Sequence, residues 1–403
     1  MARLLVVDAE SAPPELLGAG LTAASHEIEV VRTAAEASPD HPVLIDRFLE
    51  GAIEVDVDAI ADGDEVFIGA VMEHIEEAGV HSGDSSCVIP PPTISDQELD
   101  GIEDITRAIA RALSVRGLLN VQLAVKDDRV WVLEANPRSS RTVPFVSKAT
   151  GVPLAKAAAL VMAGQTLSGL AEIGMIPVGG SAFRHLPHVA VKAPVLPFGR
   201  FPGVDTVLGP EMKSTGEVMG LADSFGPALA KALAGTRSEL PSSGTVFLSV
   251  ANRDKRGIVF PAMRLRDLGF RLLATRGTAA VLARADIEVT PVLKMSEGRP
   301  NVVDLIYGGR VELVVNTPFG RGPRTDGYEI RTAAAIAGVP CITTLPGALA
   351  AVQGIEAMRS EGPGPRSLQE YHAGATRQDP LQLRLDQWAG VAAAGLEVGG
   401  YAP

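Results

Sequence analysis

The sharpest pattern along the chain is a run in which apolar and acidic positions alternate, Ile53-Glu54-Val55-Asp56-Val57-Asp58-Ala59-Ile60. A period of two argues a strand whose acidic face is wet. Asp62-Gly63-Asp64 supplies a hairpin turn, and Glu65-Val66-Phe67-Ile68-Gly69 reads as the returning strand. Upstream, residues 4–7 and 43–45 are short strand candidates, the first ended by Pro13-Pro14. Pro90-Pro91-Pro92 breaks the chain, and Ser95 can cap a helix over residues 96–113, apolar at Leu99, Ile102, Ile105, Ile109 and Leu113. A second hairpin is predicted from residues 119–125 and 130–135, and helical spacing returns over 154–163. Residues 164–243 are rich in Gly and Pro, with short strand-like pieces. From Gly244 strands (246–250, 270–274, 311–316, 339–343) alternate with helical segments (258–268, 278–283, 328–337), the signature of a doubly wound α/β domain.

The second hairpin carries the richest chemistry. Val121, Leu123 and Val125 alternate on one strand, and Trp131, Leu133 and Ala135 on the other. If both sets face one core, 121 pairs with 135, 123 with 133 and 125 with 131. The loop is then Asp127-Asp128-Arg129, with Lys126 opposite Val130. This register sets Gln122 directly opposite Glu134, with Asn136 two residues on along the same face. Three hard oxygen donors suit Mg²⁺ or Mn²⁺ shared with substrate phosphates. Arg138 and Arg141, beyond Pro137, can reach phosphoryl oxygens.

Composition narrows the classes. The chain has 403 residues, 46% hydrophobic and 21% charged, enough for two or three globular domains. A net charge of −12 argues against non-specific nucleic-acid binding. The two cysteines, Cys87 and Cys341, lie in no metal-binding spacing and read as buried thiols. No signal peptide or membrane-length apolar run is evident, so a cytoplasmic location is expected.

Glu134-Ala-Asn136-Pro137-Arg138 resembles the element that ends ATP-grasp domains. The longer run from Asn136 to Ala155 resembles the carbamoyl-phosphate synthase large chain, as do Leu44-Ile-Asp-Arg-Phe-Leu-Glu50, residues 72–85, 201–205 and 214–220. The chain is thus identified with the C-terminal part of that family, over about residues 40–372. The implied fold is α/β and α+β: the C-terminal half of an ATP-grasp fold, then a doubly wound methylglyoxal-synthase-like domain. The expected division is an atypical segment at 1–40, a partial ATP-grasp domain at 41–235, the regulatory domain at 244–365, and a tail at 373–403.

The resemblance implies phosphorylation of carbamate by ATP to give carbamoyl phosphate, for pyrimidine and arginine biosynthesis. It implies an ATP site of Arg47, Leu49, Glu54, Gly79, Val80, His81, Ser82, Gln122 and Glu134, and metal ligation by Gln122, Glu134 and Asn136. Arg138 and Arg141 would be catalytic. Two Mg²⁺ or Mn²⁺ ions per ATP site are implied, with K⁺ a further candidate, and a separate glutaminase subunit as partner. A histidine such as His81 can instead bond its own turn. The family covers the triphosphate with a Gly-rich loop and cations, yet the first lysine here is Lys126 and only Arg3, Arg32 and Arg47 precede residue 50. A fragment, inactive in isolation, is therefore expected.

In the C-terminal domain, Phe270-Arg-Leu-Leu-Ala-Thr-Arg-Gly-Thr278 reads as strand, turn and helix start, an anion site built from backbone amides and the Thr275 and Thr278 hydroxyls. The resemblance assigns Ser249, Lys255, Thr275, Thr278, Lys294, Asn316 and Arg321 to an effector nucleotide of the UMP or IMP class. Pro318 and Ala193 depart from the pattern of regulated members, and Ala193 weakens any case for ornithine control. Two alternatives remain: a nucleotide-sensing module without catalysis, and a lyase like methylglyoxal synthase, for which Asp304 and Asp326 are the aspartates to examine.

Overall fold

The computed structural model describes the strands at 3–7 and 27–31 and residues 49–201, 204–236, 238–318, 326–360, 364 and 366–373. It forms two compact units, Met1–Ala52 and Ile53–Pro403. The first contains β1 (Arg3–Val7) paired in parallel with β2 (Glu27–Val31). The strand expected at 43–45 lies outside the described residues.

The larger unit opens with the hairpin read from the alternation. Strands β3 (Ile53–Asp62) and β4 (Val66–His74) pair antiparallel, and Asp62 Oδ1 closes the turn by accepting from the amides of Asp64 and Glu65. Next come β5 (Cys87–Ile89) and α1 (Asp96–Ala112). Helix α1 starts where predicted because Ser95 and Glu98 form a reciprocal capping box, and its Leu99 and Ile102 face the core.

Strands β6 (Arg116–Lys126) and β7 (Arg129–Asn136) form the second hairpin, followed by α2 (Val143–Thr150), α3 (Leu154–Met162) and α4 (Leu167–Glu172). Strands β8 (Val189–Val195) and β9 (Gly216–Ala222) and helix α5 (Phe225–Gly235) complete this part. Helix α5 lies tightly on β9 because residue 220 is glycine; a Cβ there would collide with the Ala228 carbonyl. The sheet is antiparallel throughout, in the order β7-β6-β3-β4-β5-β8-β9.

The remainder alternates strand and helix: β10 (Thr245–Ser249), α6 (Val259–Asp267), β11 (Arg271–Thr275), α7 (Arg276–Ala283), β12 (Thr290–Val292), α8 (Val302–Tyr307), β13 (Leu313–Asn316), α9 (Asp326–Ala337), β14 (Cys341–Ile342), α10 (Leu345–Ser360) and α11 (Leu368–His372). Its five strands are all parallel, in the order β12-β11-β10-β13-β14. Apolar clusters lie on this sheet through Val246, Leu248, Leu313 and Val315, and through Phe247 and Val314, as a sheet with helices on both faces requires. Among the described residues no single helix is long and apolar enough to cross a membrane.

Two sequence expectations need correction. Strand β3 has no wet face: Glu54, Asp56 and Asp58 are 5%, 1% and 1% exposed. Alternation reports that the two faces differ, and here the polar face is covered by protein. The β6–β7 register also departs from the expected one. Val121 pairs with Ala135 and Gln122 with Glu134, but a bulge after Gln122 sets Leu123 opposite Val132 and Val125 opposite Val130. The turn is therefore two residues, Asp127-Asp128, both at positive φ (52° and 58°), with Lys126 paired to Arg129. Paired left-handed residues match the twist of a hairpin, which the three-residue loop does not, and the bulge absorbs the offset. As β7 is the sheet edge, Trp131 and Leu133 stay exposed and outside the core.

Candidate functional site

The polar face of the seven-stranded sheet forms two rows. Asp56, Gln122 and Glu134 are successive cross-strand partners on β3, β6 and β7. Asp58, Asn120 and Asn136 form the next row. The expected triad of Gln122, Glu134 and Asn136 thus shares one face, and the bulge lies just beyond it. Asn136 Nδ2 donates to Glu134 Oε1 at 2.7 Å, which leaves the Asn136 carbonyl oxygen for another partner. Gln122 Nε2 donates to Ser82 Oγ at 3.2 Å, again spending the nitrogen and sparing the oxygen. Glu134 is exposed. One carboxylate and two amide oxygens are a fitting set for a hard divalent cation. Among the described residues no cluster of three His, Cys, Asp or Glu could hold a metal alone, so a cation here would need ligands from substrate.

Glu54 stands at the inner end of this face. Its Oε2 accepts from the amide of Gly79 at 3.1 Å, and Gly79 reaches this approach at φ 96°, a conformation costly for other residues. Burial raises the Glu54 pKa, partly offset by His74 and by the Gly79 amide. His74 Nε2 lies 3.2 Å from Asp56 Oδ2. Burial opposes charge on that ring, but Cys87 and Asp56 hold its pKa well above the ordinary value.

Residues 79–86 form a loop fastened from several sides. His81 Nδ1 accepts from the Gly83 amide at 3.0 Å, so this histidine does bond its own turn. The His81 amide donates to Gly209 O at 2.8 Å. Asp84 accepts the amides of Lys213 (2.7 Å) and Ser214 (2.8 Å). Lys192, 1% exposed, donates its ammonium to Ser82 O at 3.0 Å. Sequence reasoning missed Lys192 and Asp84; neither stands in a local pattern, since their partners are far away in the chain. Val80, His81 and Ser82 are half-buried, and Gly79 is exposed. Leu49 is half-buried in the Met1–Ala52 unit, and Arg47 lies outside the described residues.

Arg138 and Arg141 occupy the segment between β7 and α2, both exposed. Arg138 donates to Ser139 O at 3.1 Å, and Arg141 rests against the Met212 sulfur at 2.6 Å. Neither has a carboxylate partner among the described residues, so both are available to an anionic ligand. Asp58 was also missed. It accepts from Asn120 Nδ2 (3.0 Å), Ser140 Oγ (2.7 Å) and Thr142 Oγ1 (2.6 Å).

A second cluster lies at the carboxyl edge of the parallel sheet, where ligands bind in such folds. Ser249, Thr275 and Asn316 are the last residues of β10, β11 and β13. Thr275 Oγ1 lies 3.5 Å from Ser249 Oγ and 3.3 Å from Thr278 Oγ1. Asn316 Nδ2 donates to Ser249 O at 3.1 Å. Lys255 Nζ sits beside Gly277, in the first turn of α7. Lys294, two residues past β12, caps the start of a short 3-10 turn and is half-buried. Arg321 lies outside the described residues. Asp304 is committed elsewhere: it takes the Asn301 amide in the cap of α8 and pairs with Arg299. The side chain of Asp326 lies outside the described residues.

Comparison with known proteins agrees with both halves. Residues 17–170 match the family model "Carbamoyl-phosphate synthase L chain, ATP binding domain", and residues 257–343 match "MGS-like domain". The chain is similar to the carbamoyl phosphate synthase large chain of Mycobacterium bovis, 56% identical over 357 residues, which covers 85% of this chain and 32% of that one. The counterpart from Corynebacterium glutamicum is 55% identical over 356 residues, again 85% and 32%. That from Archaeoglobus fulgidus is 54% identical over 343 residues, 85% and 31%. The chain therefore spans about a third of the length of the curated relatives it matches. Among solved structures, a biotin carboxylase domain of a single-chain bacterial carboxylase aligns with a TM-score of 0.40 at 20% identity, covering 59% of each chain.

Proposed function

We propose that this chain, homologous to carbamoyl phosphate synthase large chains and combining ATP-grasp sequence with an MGS-like domain, forms carbamoyl phosphate from carbamate and ATP under nucleotide control. The observation that carries this is the placement of Gln122, Glu134 and Asn136 on one sheet face, with two arginines on the following segment that have no carboxylate partner among the described residues. The separation of 41–235 from 244–365 is supported by the two separate sheets, while the compact unit that holds both begins at Ile53 and not at 41.

In this reading Glu54 accepts from ribose hydroxyls, and Val80, His81 and Ser82 line the nucleotide. Gln122, Glu134 and Asn136 would hold Mg²⁺ or Mn²⁺, whose chemistry there would be neutralisation of phosphate charge. Arg138 and Arg141 stabilise charge on that group as the carbamate oxygen displaces ADP in line. The loop bonds at His81, Ser82 and Asp84 keep this surface preorganised, so little reorganisation accompanies binding. At the second site, Ser249, Thr275, Thr278, Lys255 and Lys294 take the phosphate of a UMP- or IMP-class effector, with Asn316 beside them and Arg321 as a further contact. The chain acts in the cytoplasm and serves pyrimidine and arginine biosynthesis; the glutaminase subunit is a partner of the full-length family.

The second reading, nucleotide sensing alone, is favoured by the self-contained hydroxyl cluster on the parallel sheet. One experiment separates the two: the chain is mixed with MgADP and carbamoyl phosphate and ATP is followed, while UMP and IMP binding is measured calorimetrically. ATP formation supports the ligase reading. Effector binding without ATP formation supports the sensing module, and loss of both overturns the assignment.

A further inference from the structure

We propose that Asp58 is a positioning residue that fixes Arg141 toward the substrate phosphates by gripping the residues on either side of it. The proposal rests on the nucleotide-site reading above. Asp58 is 1% exposed, and both its oxygens are used. Oδ1 accepts from Asn120 Nδ2 and from Ser140 Oγ, and Oδ2 accepts from Thr142 Oγ1. Ser140 and Thr142 are the two neighbours of Arg141, 82 and 84 residues from Asp58 in sequence. Their hydroxyls also lie 2.9 Å from each other, which closes the grip around the arginine.

Three features show that this carboxylate is not ordinary packing. Among the described residues no cation pairs with it, so the charge is held by neutral donors alone. Burial pushes its pKa up to about 6, even though all three hydrogen bonds act to lower it. An amide or hydroxyl could fill the same space without that penalty; the charge supplies two strong acceptors for hydroxyls on a distant segment. Finally, Thr142 precedes α2 and its side chain makes no cap bond to the helix. The hydroxyl that would cap α2 is turned to Asp58 instead.

The consequence falls on Arg141. Its guanidinium touches the Met212 sulfur, and among the described residues no carboxylate holds it. Its placement therefore depends on its own backbone, and Asp58 restrains that backbone on both sides. An arginine presented from fixed backbone loses less freedom when it meets a phosphoryl group.

The test uses the full chain with Asp58→Asn, Ser140→Ala and Thr142→Val. Two readouts are taken: amide exchange across residues 138–143, and the separate affinities for MgATP and AMP. In Asp58→Asn, exchange is expected to quicken and MgATP affinity to fall by roughly tenfold, the scale of one charge-assisted hydrogen bond, with AMP affinity unchanged. Ser140→Ala and Thr142→Val should each show part of the same loss. A merely structural contact would move both nucleotides together. Unchanged exchange with an unchanged ATP-to-AMP ratio overturns the proposal. If Asp58→Asn does not fold, the other two variants decide by the same readouts. If the wild-type chain binds neither nucleotide, the nucleotide-site reading fails, and the exchange result alone decides whether Asp58 holds the segment.

Discussion

Glu134 is the only carboxylate in the proposed metal set, so its charge should matter more than its shape. Glu134→Gln keeps the hydrogen bond with Asn136 feasible while removing the charge. MgATP affinity is expected to fall tenfold or more, about 1.4 kcal/mol, with AMP affinity little changed. Equal loss for both nucleotides would place Glu134 elsewhere. Asp58 makes a second residue-scale prediction, about stability. Its folded pKa, about 6, exceeds the ordinary aspartate value of 3.8, so the folded state holds the proton more tightly. The stability from that proton is fully present below about pH 3.8 and is lost as pH rises through about 6. Asp58→Asn should therefore flatten the pH dependence of stability between about pH 4 and 6, because the titrating carboxyl is gone. A pH dependence of stability that is the same in Asp58→Asn as in the wild type would contradict this. The pairing of Gln122 with Glu134 was legible in the sequence, because apolar alternation on two neighbouring strands constrains which residues oppose each other. The role of Asp58 was not, since its partners are 62 to 84 residues away.

At the scale of elements, legibility followed the strength of local signals. Helix α1 is bounded by its own capping box, and β3 and β4 by a turn that Asp62 closes. Ser95→Ala should cost about 1 kcal/mol in denaturant unfolding, without changing nucleotide affinity. No loss would mean that packing of Leu99 and Ile102 alone sets the helix start. The β6–β7 turn was misread because Asp127-Asp128 lacks the glycine that usually marks a two-residue turn of positive φ. Strands β8 and β9 were seen only as short pieces in a Gly- and Pro-rich stretch. Strand β8 is largely buried through its middle, Ala190 to Ala193, so no alternation marks it, and Lys192 there reads as a surface residue although it is 1% exposed.

Across the molecule, the buried Arg331 ties the hydroxyl cluster at the edge of the parallel sheet to the loop of residues 79–86. Arg331 on α9, 3% exposed, bonds Asp205 through Nε (2.7 Å) and its second terminal nitrogen (2.6 Å), and donates to Asn316 Oδ1 at 2.7 Å. Burial opposes the Asp205 charge, but Arg331 holds its pKa below the carboxylate range. Lys213, which follows Asp205 by eight residues, gives its ammonium to Asp205 O and Val207 O and its amide to Asp84. Arg331 is buried but the Asp205 side chain is 31% exposed, so solvent offsets part of the loss and Arg331→Met should lower stability by about 1.5–3 kcal/mol. Asp205→Asn in the same background should add little further loss. Additive losses in that double-mutant cycle would show that the pair is not coupled.

The central claim is that the polar face of the antiparallel sheet is a metal-dependent nucleotide site. It is tested most directly by titrating ATP into the full chain with excess Mg²⁺ and again with EDTA, in wild type and in Glu134→Gln. The expected result is binding that Mg²⁺ strengthens by tenfold or more in the wild type, and that gains little from Mg²⁺ in the variant. ATP binding that is indifferent to Mg²⁺, or equally Mg²⁺-dependent in both proteins, would contradict the account.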